Sequence, residues 1–240
     1  GGVSQLPFAS LNLGGTVGDD PEFVLENHQR VFAAIGRSFD QRYDVWQVHG
    51  TDIERANAPR PHDQLHVKAD GILTDKPDLT LLMRFADCVP ILLADPVRKV
   101  VGVIHAGWKG TLNMICAAAV SAMQDWYGCV SGNVLAGIGP AICQDCYEVG
   151  EDVYERFKIK FEQSSELFLK QQDEKKYINL VRANQITLEK AGVRNIECAN
   201  ICTAHHLDDW FSHRAENGKT GRFGVVIGLD LKKEAVDRDK

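Results

Sequence analysis

The 240-residue chain is 44% hydrophobic and 25% charged, and its 27 basic and 33 acidic side chains give a net charge of −6. That balance argues against nucleic acid as a partner, and no apolar run reaches the ~20 residues of a membrane-spanning helix. Seven cysteines, an odd and scattered set, point to free thiols in a reducing compartment, the cytoplasm, rather than to a disulfide framework.

Asp20-Pro21-Glu22 predicts a helix start, with Asp as N-cap, Pro in the first turn and an acidic residue favoured by the dipole. The helix is expected to run to about Gly36. Tyr43 to Val48 reads as a strand that delivers His49 at its end, and Thr80 to Phe85 as another. Pro90 to Ala94 and Val100 to Ile104 flank Asp95-Pro96-Val97-Arg98, a type I turn signal, and predict a hairpin. Pairing Asp95 with Arg98 sets Cys88 opposite His105, with Cβ atoms ~4.5–5.5 Å apart. Leu112 to Trp126 has helical spacing, and Val134 to Ile138 is a short strand before the Gly139-Pro140 break. Helices are expected over Asp152–Glu162 and Leu180–Ala191, separated by the polar stretch from Gln163 to Lys176. Phe223 to Leu229 reads as a final buried strand, and Lys232 to Lys240 as a solvated charged tail. No repeat or linker divides the chain, so residues 1–240 are expected to form one α+β (mixed α/β) domain.

Three local motifs carry the chemistry: Gln47-Val48-His49-Gly50, Ala86-Asp87-Cys88-Val89-Pro90 and His105-Ala106-Gly107-Trp108-Lys109-Gly110. One thiol and two imidazoles suit a zinc ion with a fourth position open, the catalytic pattern. The plain alternative is a buried thiol beside two hydrogen-bonded imidazoles. A second alternative is a cysteine-dependent amide hydrolase with Cys88 as nucleophile and His105 as its base. A third is copper, which two His and one Cys would suit; the absence of any His-x-His pair counts against a multicopper oxidase. Cys143-x-x-Cys146 lacks a second Cys-x-x-Cys and reads as two loop thiols, and Cys202-Thr203-Ala204-His205-His206 as a weak ligand pattern. Lys109 and Arg222, each near glycines, and Arg214 are the candidates for holding phosphate. Asp70, Asp87 and Glu148 are candidate acids, bases or orienting carboxylates.

These motifs, with Ser10-Leu11-Asn12-Leu13-Gly14, Gly139-Pro140-Ala141-Ile142, Cys146-Tyr147-Glu148-Val149-Gly150, Phe211-Ser212-His213-Arg214 and Thr220-Gly221-Arg222, span nearly the whole chain. Together they resemble the YfiH-type purine nucleoside phosphorylase family, formerly called laccase-domain or multicopper polyphenol oxidase proteins. The resemblance implies a layered sandwich of mixed sheets and helices, with His49, Cys88 and His105 as zinc ligands. It implies phosphorolysis of adenosine, inosine, guanosine and S-methyl-5'-thioadenosine, together with adenosine deamination. The expected partners are therefore purine nucleosides and phosphate. Phe85, Lys109, Cys143, His213 and Ala215 depart from the family's usual residues.

Overall fold

A computed structural model of the protein describes residues 1–230. The first half of the chain contains α1 (Pro21–Ala34), β1 (Arg42–Tyr43), β2 (Ile53–Arg55), β3 (Gly71–Thr74), β4 (Thr80–Phe85), β5 (Val89–Asp95) and β6 (Val100–Ala106). Next come α2 (Trp108–Leu112), α3 (Ile115–Tyr127), β7 (Leu135–Ile138), β8 (Glu148–Val149) and α4 (Glu151–Phe161). The last elements are β9 (Leu169–Gln172), β10 (Lys175–Ile178), α5 (Leu180–Lys190), β11 (Asn195–Cys198) and β12 (Phe223–Gly228). The charged tail expected from Lys232 lies outside the described residues. No described helix is long and apolar enough to cross a membrane.

Local chemistry accounts for the helix ends. The Asp20 carboxylate accepts a hydrogen bond from Glu22 N at 2.9 Å, and Asn179 accepts one from Arg182 N at 2.9 Å, so α1 and α5 begin on side-chain caps. The helix expected from Leu112 to Trp126 is α3 and starts later, at Ile115: Leu112 is the last residue of α2, and Met114 at φ +64° separates the two. Neither proline nor glycine marks that break. The polar stretch from Gln163 to Lys176 holds a 3-10 turn and the first part of the β9–β10 hairpin, with Lys175 paired to Gln172 and Ile178 to Leu169.

A six-stranded sheet of order β11-β7-β5-β6-β3-β2 forms the centre. Its β5 and β6 are apolar on both faces because both are covered, as runs of this kind require. Ile91, Leu93 and Ile104 pack with Cys116, Val120 and Met123 of α3 and with Ala183 and Leu188 of α5. Leu92 and Val103 face the other way, onto Leu81, Met83 and Phe85 of a three-stranded sheet, β1-β4-β12. Helices, large sheet and small sheet thus make three layers, with a separate antiparallel β8-β10-β9 sheet beside α4. The mixed α/β class read from the sequence is the observed one. Strand β12 is half-buried, less covered than its apolar sequence suggests.

The β5–β6 hairpin forms with a register different from the expected one. Asp95 pairs with Val100 and Pro90 with His105, so His105 has moved two residues relative to β5. The Asp95 carboxylate caps Val97 N at 2.8 Å and Arg98 N at 3.0 Å, and Lys99 closes the turn at φ +55°. That extra left-handed residue lengthens the loop. Side chains alternate with a period of two, so a two-residue slip keeps His105 on the expected face and at the same end of the hairpin as Cys88.

Candidate functional site

Of the strand expected from Tyr43 to Val48, only Tyr43, the last residue of β1, and a single bridge from Trp46 to Lys68 are extended pairings; His49 lies beyond, in a bend at φ +60°. A non-glycine residue in the left-handed region needs an external hold. Asp70, fully buried just before β3, supplies it. Its carboxylate accepts hydrogen bonds from the backbone N–H groups of Val48 (3.1 Å), His49 (3.0 Å) and Gly50 (2.6 Å). The same carboxylate meets His105 Nδ1 at 2.8 Å, and Asp70's carbonyl accepts from His105 N at 2.7 Å. One anion therefore fixes both histidine segments. Burial opposes its charge, but the His105 ring and the Gly50 and Val48 amides hold its carboxyl below the usual value.

With Nδ1 committed to Asp70, His105 has Nε2 for Cys88. The ligand atoms of His49, Cys88 and His105 all lie within 4.8 Å of one another, with His105 buried, Cys88 half-buried and His49 exposed. The two imidazole rings meet edge-to-face at 4.9 Å. Burial alone would raise the Cys88 thiol; the charge and hydrogen bonding of His105 and then His49 bring it down to about 6. The two imidazoles thus favour the thiolate form of Cys88. Gly107 is what allows the approach. A Cβ there would stand 2.9 Å from His49 Cδ2 and 3.2 Å from Cys88 Sγ. Gly107→Ala is expected to crowd these donors and weaken their binding of added zinc while moving the thermal midpoint little, which a zinc titration beside a melting curve would check.

A second tier of contacts sits behind this trio. Asp87, at φ +82°, accepts hydrogen bonds from Thr203 Oγ1 (2.7 Å), Ser212 Oγ (2.7 Å) and Arg214 N (2.6 Å), which tie the chain beyond β11 to the residue before Cys88. Asp44, almost fully buried, gathers Arg60 Nε at 2.8 Å, His66 Nε2 at 3.1 Å and the Arg84 guanidinium. Arg84 N in turn donates to Gln47 Oε1 at 3.0 Å, which anchors the strand end that leads to His49. The sequence reading missed Asp44, Arg60 and Arg84, since isolated charges in a sequence carry no pairing signal.

The anion candidates divide. Arg222 is half-buried and close enough to Cys88, Asp87 and Glu216 to feel their charge. Its Nη1 donates to the carbonyls of Thr220 (3.0 Å) and Gly221 (2.7 Å), and Nε and Nη2 have no partner among the described residues. Arg214 donates from Nη1 to the Glu148 carbonyl at 2.8 Å and lies over the Tyr147 ring at 5.0 Å. Tyr147, which the sequence reading passed over, is itself near Cys88: burial first, then the Cys88 charge, pushes its phenol up. Lys109 is exposed on α2, beside the Trp108 ring at 5.6 Å. Glu148 is exposed and its carboxylate pairs with Lys175 at 3.0 Å. A second set of donors, Cys143, Cys146, Cys202 and His205, gathers as closely as the first, from two motifs that no local pattern links.

The family model described as multi-copper polyphenol oxidoreductase laccase matches residues 1–230. A purine nucleoside phosphorylase of Deinococcus radiodurans is 38% identical over 229 residues, covering 95% of this chain and 86% of the relative. Purine nucleoside phosphorylase YlmD of Bacillus subtilis is 33% identical over 238 residues, covering 95% and 85%. Among solved structures, the Bacillus licheniformis hypothetical protein YfiH superposes with a TM-score of 0.91 at 35% identity, covering 96% of this chain and 90% of that one. YlmD from Geobacillus stearothermophilus gives 0.91 at 34%, covering 95% and 88%.

Proposed function

The chain belongs to the family described as multi-copper polyphenol oxidoreductase laccase, and from that premise we propose that it is a zinc-dependent purine nucleoside phosphorylase. We further propose adenosine, inosine, guanosine and S-methyl-5'-thioadenosine as substrates, adenosine deamination as a second activity, and a cytoplasmic setting consistent with seven unpaired cysteines. Relatives that match nearly the whole chain are named purine nucleoside phosphorylases. The observation that carries the reading is the Asp70 carboxylate, which aims one imidazole and holds the loop of the other around Cys88.

This donor set fits zinc. It offers one thiolate and two imidazoles, one of them oriented by a carboxylate as metal-bound histidines usually are, and its exposed side leaves room for a fourth ligand. When bound, the ion would supply a Lewis-acid centre at that open side. Copper would accept the same three donors. The sequence has no His-x-His pair, however, so polyphenol oxidation is the weakest reading.

Phosphorolysis requires a phosphate oxygen to attack ribose C1′ while the bond to the purine nitrogen breaks and the base leaves. The chain's own part is to bind and orient. Arg222, with Nε and Nη2 uncommitted, is the first group assigned to phosphate, and Arg214 and Lys109 complete a cationic set. Asp70 and Asp87 act as positioning groups, because their carboxylate oxygens already accept several hydrogen bonds. Nucleoside cleavage is expected to depend on added phosphate. Arg222→Ala should lower that cleavage more than deamination, which needs no phosphate. Equal losses in both would reassign Arg222 to the nucleoside or the fold.

The lowered Cys88 thiol beside His105 favours a second reading, a cysteine-dependent amide hydrolase. Alkylation distinguishes the two. As a zinc ligand, Cys88 should resist modification until a chelator removes the ion; as a nucleophile it should react rapidly in metal-loaded protein and lose activity at the same rate. Peptide mass mapping would keep Cys88 apart from the other thiols.

A further inference from the structure

Cys143-Gln144-Asp145-Cys146 and Cys202-Thr203-Ala204-His205 each space two donors by two residues, and each is folded as a tight turn. Cys146 N donates to Cys143 O at 3.2 Å, and His205 N to Cys202 O at 3.2 Å. The two turns are brought together by a short parallel pairing. Ala141 N donates to Ile201 O at 3.1 Å, Thr203 N to Ala141 O at 3.2 Å, and Cys143 N points at Cys202 Sγ at 3.3 Å. Three sulfurs and one imidazole nitrogen then lie within 4.8 Å of one another, with Cys146 Sγ and His205 Nε2 at 3.0 Å.

We propose that Cys143, Cys146, Cys202 and His205 form a second metal site, a closed structural zinc site that joins the turn before β8 to the chain after β11. Tetrahedral zinc with bonds of ~2.3 Å to sulfur and ~2.0–2.1 Å to nitrogen sets its ligand atoms about 3.5–3.8 Å apart, so small side-chain adjustments suffice. Three thiolates and one imidazole are a set typical of structural zinc, and four protein ligands leave no position for substrate. The site differs in this from the His49–Cys88–His105 group, which has three donors and an open side. It also has a task in the fold. Thr203, inside the second turn, donates to the Asp87 carboxylate at 2.7 Å, one residue from Cys88. Clamping the turn therefore steadies the support of the first site from a distance.

Protein purified under reducing conditions without chelator is expected to carry one zinc per chain in this site in addition to any held by Cys88. Cys146→Ser and Cys202→Ser should each lower the metal content by one ion, and Cys88→Ala should leave this ion in place. The Cys88→Ala protein thus reads the second site even if the first assignment fails. A measurement that needs no variant is cobalt substitution of the wild-type protein, where the site should add a thiolate-to-metal absorption with the intensity of three thiolates. Peptide mapping should also show Cys143, Cys146 and Cys202 protected from alkylation by zinc and released together by chelation. Unchanged metal content in Cys146→Ser, alkylation of these thiols at equal rates with and without zinc, or a Cys143–Cys146 or Cys143–Cys202 disulfide in the native protein would each overturn the proposal.

Discussion

Cys88→Ala and His105→Ala are each expected to remove one metal ion and to lower kcat/KM for phosphorolysis by about 10²–10⁴-fold. A metal centre contributes several kcal/mol of charge stabilisation, and each ~1.4 kcal/mol is a factor of ten. Removing one of three donors leaves too poor a site to retain the ion. Asp70→Asn should fall between these variants and wild type, losing about 10–100-fold in metal affinity, since an amide oxygen replaces only part of what the carboxylate accepts. Metal content and steady-state kinetics on the same preparations check the series. A Cys88→Ala protein with wild-type metal content and turnover sinks the assignment of this site.

Asp44→Ala is expected to produce the largest loss of stability, about 3–5 kcal/mol, because it leaves buried cations without their counter-charge. Arg60 pairs with this carboxylate at 2.8 Å, Arg84 contacts it directly and Arg42 stands at 3.8 Å, with Asp44 only 1% exposed. For a chain of this size the thermal midpoint should fall by roughly 6–20 °C. The pH dependence follows from the direction of the shift. Burial works against the charged carboxyl, yet the His66 hydrogen bond and the Arg84 charge hold its value far below the ordinary 3.8. A depressed carboxyl stabilises the fold fully above about pH 4 and loses that contribution as pH falls toward the folded value. The gap between wild type and Asp44→Asn should therefore be wide at neutral pH and close in acid. His28, lowered to about 3 by burial and then by Arg84 and partly held up by the Asp44 charge, adds a loss of the same sign as pH falls from 6.5 toward 3, and the variant, without that charge, should feel it slightly more. Denaturant unfolding across the pH range would show whether the gap closes.

What the sequence made legible was the chemistry at each point along the chain, more than the distances between points. The Asp20-Pro21 start, the two-sided apolar runs of β5 and β6 and the settings of Cys88 and His105 could all be read locally. The face of the hairpin was recoverable and its register was not, because Lys99 could not be recognised as the left-handed residue that lengthens the turn. The β9–β10 hairpin was hidden by its composition: Lys170, Gln171, Lys175 and Lys176 read as loop, and pairing overrides that preference. The position of His49 depends on a carboxylate 21 residues away along the chain, and no periodicity reports such a contact. Cys143 and Cys202 are 59 residues apart, and what joins them is one parallel bridge at Ala141 that neither motif announces.

The Asp70 carboxylate also bears on how the proposed first metal site would acquire its ion. Its partners are backbone amides and the far nitrogen of an imidazole, so its hydrogen bonds do not pass through the metal. Filling the site is then an act of docking onto prepared donors, with the ordering of the His49 loop already completed when the chain folds. A chelator should strip this site and leave a folded protein that accepts zinc, cobalt or copper on re-addition. The ion found there would then reflect which metal is available to the folded protein as much as any selection made during its folding.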